Sequence, residues 1–94
     1  MTDYAVRVEL FDADSDKYEK LYEGMSKIGF RKTIQAVGGP VRMLPTGTYV
    51  GSSQSGIADV RVAVSRIADP ISSKAAAVFV CELTNWASYL YTDS

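Results

Sequence analysis

Between Leu10 and Tyr18 the spacing of the apolar residues changes period, and this switch narrows the folds open to the chain. Tyr4, Val6, Val8 and Leu10 share one face of an extended segment while Ala5, Arg7 and Glu9 share the other, the alternation of a half-buried strand. Tyr18, Leu21, Tyr22, Met25 and Ile28 then recur at helical spacing, with Glu19, Lys20, Glu23 and Lys27 opposite. A half-apolar strand joined to an amphipathic helix must bury both stripes against one core, which predicts a layered α+β domain. Asp16 with Glu19 predicts the start of the helix, among further capping side chains at Asp12 and Asp14, and Gly29 predicts its end.

The same alternation of periods continues. Phe30 to Val37 reads as a second strand and Gly38-Gly39-Pro40 as a turn. Val41 to Val50 reads as a third strand that Pro45 and Gly47 must bulge, or shorten to Gly47–Gly51. Ile57, Val60, Val64 and Ile67 resume helical spacing until Asp69-Pro70, and Lys74 to Leu83 forms a fourth strand. The order β-α-β-β-α-β predicts a ferredoxin-like two-layer sandwich, with residues 1–94 as a single domain. Ala75 to Cys81 is apolar at both parities, yet helices cover only one face of such a sheet. A second cover is therefore expected: either Trp86 to Tyr91 folding back as an extra short C-terminal strand, or a second copy of the chain. The reading favours a homodimer with Val78, Val80, Trp86, Tyr89 and Tyr91 at or near its interface.

Apolar residues make up 47% of the chain and charged residues 22%, a globular balance that supports a modest core without disulfides or a structural metal. Ten basic and eleven acidic side chains leave a formal charge of −1, so any RNA contact must come from a local basic patch. Cys81 is the only cysteine, and between Val80 and Glu82 it reads as a packed thiol suited to a reducing compartment. Met-Thr-Asp-Tyr begins no basic-then-apolar leader, and no apolar run reaches about eighteen residues; no membrane insertion and a cytoplasmic location are expected.

The chain has no histidine, which removes the commonest general acid or base and every histidine metal site. Asp12-x-Asp14-x-Asp16 with Glu23 imitates a calcium loop, but Lys17 stands where that loop needs glycine and Tyr18 to Glu23 belongs to the helix, so an EF-hand is rejected. Asp12 alone remains a candidate ligand for a divalent metal ion shared between two copies, whereas Asp14 and Asp16 read as caps. Gly51-x-x-x-x-Gly56 has the glycines of a phosphate loop but Ile57 and Ala58 in place of Lys and Ser or Thr, and implies no nucleotide triphosphate. Arg7, Arg31, Lys32 and Arg42 fall on or beside strands. With Tyr49 or Tyr4 to stack on a base they make a candidate single-stranded RNA surface, set against the ordinary reading of a solvated, mixed-charge face.

Phe11-Asp12 closing the first strand, Tyr18, Leu21 and Met25 on the helix, then Phe30, Ile34 and Gly39-Pro40-Val41-Arg42-Met43-Leu44-Pro45 followed by Tyr49, resemble the small GhoS-type antitoxin endoribonucleases. Those proteins share a ferredoxin-like fold with the small CRISPR-associated nuclease-like proteins. The resemblance covers roughly the first half of the chain, and the second half follows in element order alone. It implies cleavage of a messenger RNA, with Asp12 and Arg42 on matching positions and Arg31 more loosely placed. On that expectation Asp12 holds a divalent ion or orients the attacking hydroxyl, and Arg42 binds the phosphate. The alternative is a non-catalytic homodimeric binding or scaffold module.

Overall fold

Residues that alternate in the sequence also alternate in burial. The computed structural model describes residues 1–92. Along the chain lie β1 (Thr2–Glu9), α1 (Ser15–Lys27), β2 (Phe30–Arg31), β3 (Thr33–Gln35), β4 (Val41–Met43), β5 (Thr48–Ser53), α2 (Ile57–Ala68), a 3₁₀ turn (Asp69–Ile71) and β6 (Ala77–Glu82). Tyr4, Val6 and Val8 of β1 are buried while Arg7 and Glu9 are exposed. β1 lies between β5 and β6, antiparallel to both, and β2 pairs with the far side of β5, so the main sheet has the order β2-β5-β1-β6. Leu21 and Met25 of α1 and Val60, Val64 and Ala68 of α2 meet Tyr4, Val6, Val8, Phe30 and Tyr49 in one core. The fold is α+β, with both helices on the same face of a mostly antiparallel sheet. No helix among the described residues is long and apolar enough to cross a membrane.

Local chemistry adjusts several boundaries. Asp14, rather than Asp16, caps α1: its carboxylate accepts from the Lys17 N–H at 3.1 Å, while Asp16 sits in the first turn. Asp14→Ala is expected to lower stability by about 1 kcal/mol and Asp16→Ala by clearly less, as read from paired thermal or urea melts. Gly29, at φ 88°, follows the helix as expected and donates to the Ser26 carbonyl at 3.1 Å. Pro70 falls in the 3₁₀ turn that ends α2.

The expected second and third strands are each divided. Only Phe30 and Arg31 join the main sheet, opposite Gly51 and Val50. The chain then bends at Lys32, and β3 pairs with β4 in a separate two-stranded sheet. The break before β5 contains Pro45 and Gly47, as their chemistry requires.

Among the described residues the extra C-terminal strand does not form. There the segment after β6 makes one isolated bridge, Arg42 with Thr92, and the Met43 N–H donates to the Tyr91 carbonyl at 2.8 Å. The hairpin, having left the sheet, supplies the tail with its backbone partner. Trp86 shares a hollow with Arg31, Ile34, Val50 and Leu83, so the start of the tail reaches the helix-free face beside β5 and β2. Val50 and Ile34 are buried there, outside the main core.

Candidate functional site

Asp12 and Arg42, the pair on which an RNA-cleaving site depends, are built into different parts of the surface. Asp12 leaves β1 in the left-handed region, φ 53°, which aspartate tolerates better than most residues. Its carboxylate accepts from Ser73 Oγ at 2.7 Å and its carbonyl from Lys17 Nζ at 3.3 Å, tying the turn after β1 to the segment before β6. Arg42 donates through Nη1 to the Leu90 carbonyl at 3.2 Å and so holds the tail. Among the described residues, no three His, Cys, Asp or Glu side chains cluster to hold a metal ion.

The expected RNA residues divide between two faces. Arg7 and Arg31 lie on the helix-free face, where Arg7 Nη1 donates to the Thr46 carbonyl at 3.0 Å and to Thr48 Oγ1 at 3.1 Å. Tyr49 lies opposite Val6 across the β1–β5 pair and turns into the core at 3% exposure. It cannot stack on a base beside the arginines. Lys32 is also turned away, its ammonium 4.4 Å from the centre of the Tyr22 ring.

Lys32 and Tyr49 meet instead in a groove of about 250 Å³ between α1 and the hairpin, where Tyr18, Glu19, Tyr22 and Pro45 complete the walls. Burial pushes the Tyr49 hydroxyl up to about 12, and the neighbouring Tyr18, Glu19 and Tyr22 add to the effect. Tyr49 therefore stays a proton donor. Tyr18 accepts from the Leu10 N–H at 3.1 Å, which leaves its own proton to give. The groove is a set of phenols with one ammonium and one carboxylate at the rim. Tyr18 and Tyr22, one turn apart on α1, were the sequence signal for it, hidden within an ordinary apolar stripe.

Ionised Tyr49 is disfavoured in the folded chain only. Stability is thus unaffected below the ordinary tyrosine value of 10 and falls as pH climbs from there toward 12. The expected loss is on the order of 1–3 kcal/mol. Tyr49→Phe should flatten this alkaline limb in a series of urea melts, leaving the neutral-pH value within about 1 kcal/mol.

The residues expected at a dimer contact also divide. Val78 and Val80 lie opposite Val8 and Val6 and pack against the core, because their parity in β6 is that of the helix-covered face. Their side chains are not a free surface. Trp86, Tyr89 and Tyr91 are exposed on the tail, the two tyrosine rings meeting edge to face at 5.7 Å. Phe79, of the same strand but outside the expected dimer set, is 68% exposed on the helix-free face. No protein-family model matches the chain, and no curated protein matches it either.

Proposed function

We propose that this chain is a ferredoxin-like, non-catalytic binding module that works as a homodimer in a reducing cytoplasm, joined on the β6 side of its sheet. The sheet order β2-β5-β1-β6, with both helices on one face, supports the ferredoxin-like reading. Phe79 carries the dimer: its ring is 68% exposed on a strand that, among the described residues, has no neighbour on its outer side. An apolar ring beside an unpaired ladder invites a partner. The engagement of Asp12 with Ser73 and of Arg42 with the tail supports a role without catalysis. Sedimentation equilibrium between about 1 and 100 μM, the range in which a small interface associates, should give twice the mass of one chain. A single-chain mass throughout that range overturns the reading.

RNA binding, with cleavage as the family resemblance implies, is the second reading. Arg7 and Arg31, together on the face without helices, favour it. Incubation with a panel of RNAs, with and without Mg²⁺, tests it. Binding lost on Arg7→Ala with Arg31→Ala supports an RNA surface, and cleavage lost on Asp12→Ala or Arg42→Ala restores the catalytic proposal. An absence of both binding and cleavage removes this reading.

A further inference from the structure

β6 shows which of its backbone groups remain unused. The Leu83 N–H donates to the Asp3 carbonyl at 2.8 Å, and the Val8 N–H donates to the Gly47 carbonyl at 2.7 Å on the other side of β1. Antiparallel ladders alternate, so Asp3, Ala5, Arg7 and Glu9 direct their backbone groups to β6, where Leu83, Cys81, Phe79 and Ala77 receive them. Val78, Val80 and Glu82 therefore turn their N–H and C=O groups outward. Ala76 ends this free stretch, because its N–H already donates to Asp69 Oδ1 at 3.0 Å.

Little in β6 blunts its edge. Ala77–Glu82 contains no proline and no lysine, devices by which edge strands usually avoid pairing, and its single charge, Glu82, stands at the last position. The opposite edge of the sheet is two residues long, and the chain bends away from it into the hairpin.

We infer that β6 pairs antiparallel with β6 of a second copy, about a two-fold axis passing through Val80. The inference rests on the homodimer reading and adds the register. Val80 then faces Val80, and Val78 faces Glu82 at both ends, each pair exchanging two backbone hydrogen bonds. The strand is self-complementary in this register: each Glu82 lies across from an apolar residue and away from its own copy. On the helix-free face Phe79 comes opposite Cys81, a thiol–aromatic contact that removes the exposed ring from water. Moving the axis to Phe79 pairs Glu82 with Ala76, whose N–H is already taken. Moving it to Cys81 pairs Val78 with Thr84, which lies outside the strand.

Disulfide trapping tests the register. In a Cys81→Ser background, Val80→Cys places two thiols directly across the axis and should give a covalent dimer on mild oxidation. The native chain, whose Cys81 residues lie diagonally, should cross-link at least about tenfold more slowly. A second variant, Val78→Cys with Glu82→Cys in the same background, should cross-link as fast as Val80→Cys and serves where that substitution disturbs folding. A dimer by sedimentation in which native Cys81 cross-links as fast as either variant overturns the register and leaves the homodimer standing. A single-chain mass at every concentration overturns both.

Discussion

Gly47→Ala is expected to destabilise the fold by about 3 kcal/mol or more, enough to lose a large share of the stability of a domain this small. Gly47 adopts φ 81°, and a Cβ there would overlap the Val8 carbonyl oxygen. Neither group can retreat easily. The Val8 N–H is bonded to the Gly47 carbonyl at 2.7 Å, and Val8 itself is fully packed in the central strand. Relief requires breaking the start of the β1–β5 pair. Gly38→Ala is the control: its φ is also positive, 77°, but a Cβ there meets nothing within 4 Å. That variant should lose only the conformational cost, about 1–2 kcal/mol. Urea denaturation of the two variants separates steric overlap from backbone preference, and equal losses would refute the overlap.

Val80→Pro is expected to weaken self-association about 30-fold or more, corresponding to roughly 2 kcal/mol, while leaving the monomer folded. Proline removes an N–H that points outward and puts ring carbons where the second copy must approach. No bond of the β1–β6 ladder is lost, so the monomer should lose only about 1 kcal/mol, from trimmed packing beside Val6. Cys81→Pro is the opposite case: the Cys81 N–H faces Ala5, and removing it breaks the ladder from within. Sedimentation should show Val80→Pro as a folded single chain and circular dichroism should show Cys81→Pro largely unfolded. Equal loss of structure in both would mean that the assigned alternation of inward and outward groups is wrong.

Alternation and helical spacing were enough to locate β1, both helices and the body of β6, because each of those patterns is imposed by a single large core. They were not enough between Phe30 and Met43. A strand-forming segment such as Phe30-Arg31-Lys32-Thr33-Ile34 states that its residues extend, but not with which strand they pair, and the bend at Lys32 transfers the chain from one sheet to another. Tyr49 illustrates a related limit. An aromatic residue on a strand suits a stacking surface or a core, and only its register opposite Val6 decides. The two-sided apolar pattern of Ala75–Cys81 led to the expectation of a second cover on that strand. It did not say that the tail would reach the β5 side of the sheet and leave Phe79 in water.

The site residues were less legible than the fold. Asp12 and Arg42 both fall on positions that the resemblance matches, but each is held by its own contact, Asp12 with Ser73 and Arg42 with Leu90, both partners far along the chain. Such long-range bonds leave no mark on local spacing. The outward backbone groups of Val78, Val80 and Glu82 leave none either, since they follow from the Leu83–Asp3 and Val8–Gly47 bonds.

The two ends of the sheet differ in a way that bears on how large an assembly can become. β2 offers only Phe30 and Arg31 before the chain veers into its hairpin, so that margin presents too short a ladder for another strand to align on. If β6 pairs as inferred, the main sheet of each copy has only that one receptive margin, so growth should halt after one addition and the two four-stranded sheets should merge into a finite one rather than a fibril. Raising the protein concentration should therefore populate a closed pair and then plateau. Lengthening β2 by straightening the bend at Lys32 would convert the same apolar edge strand into a seed for polymerisation.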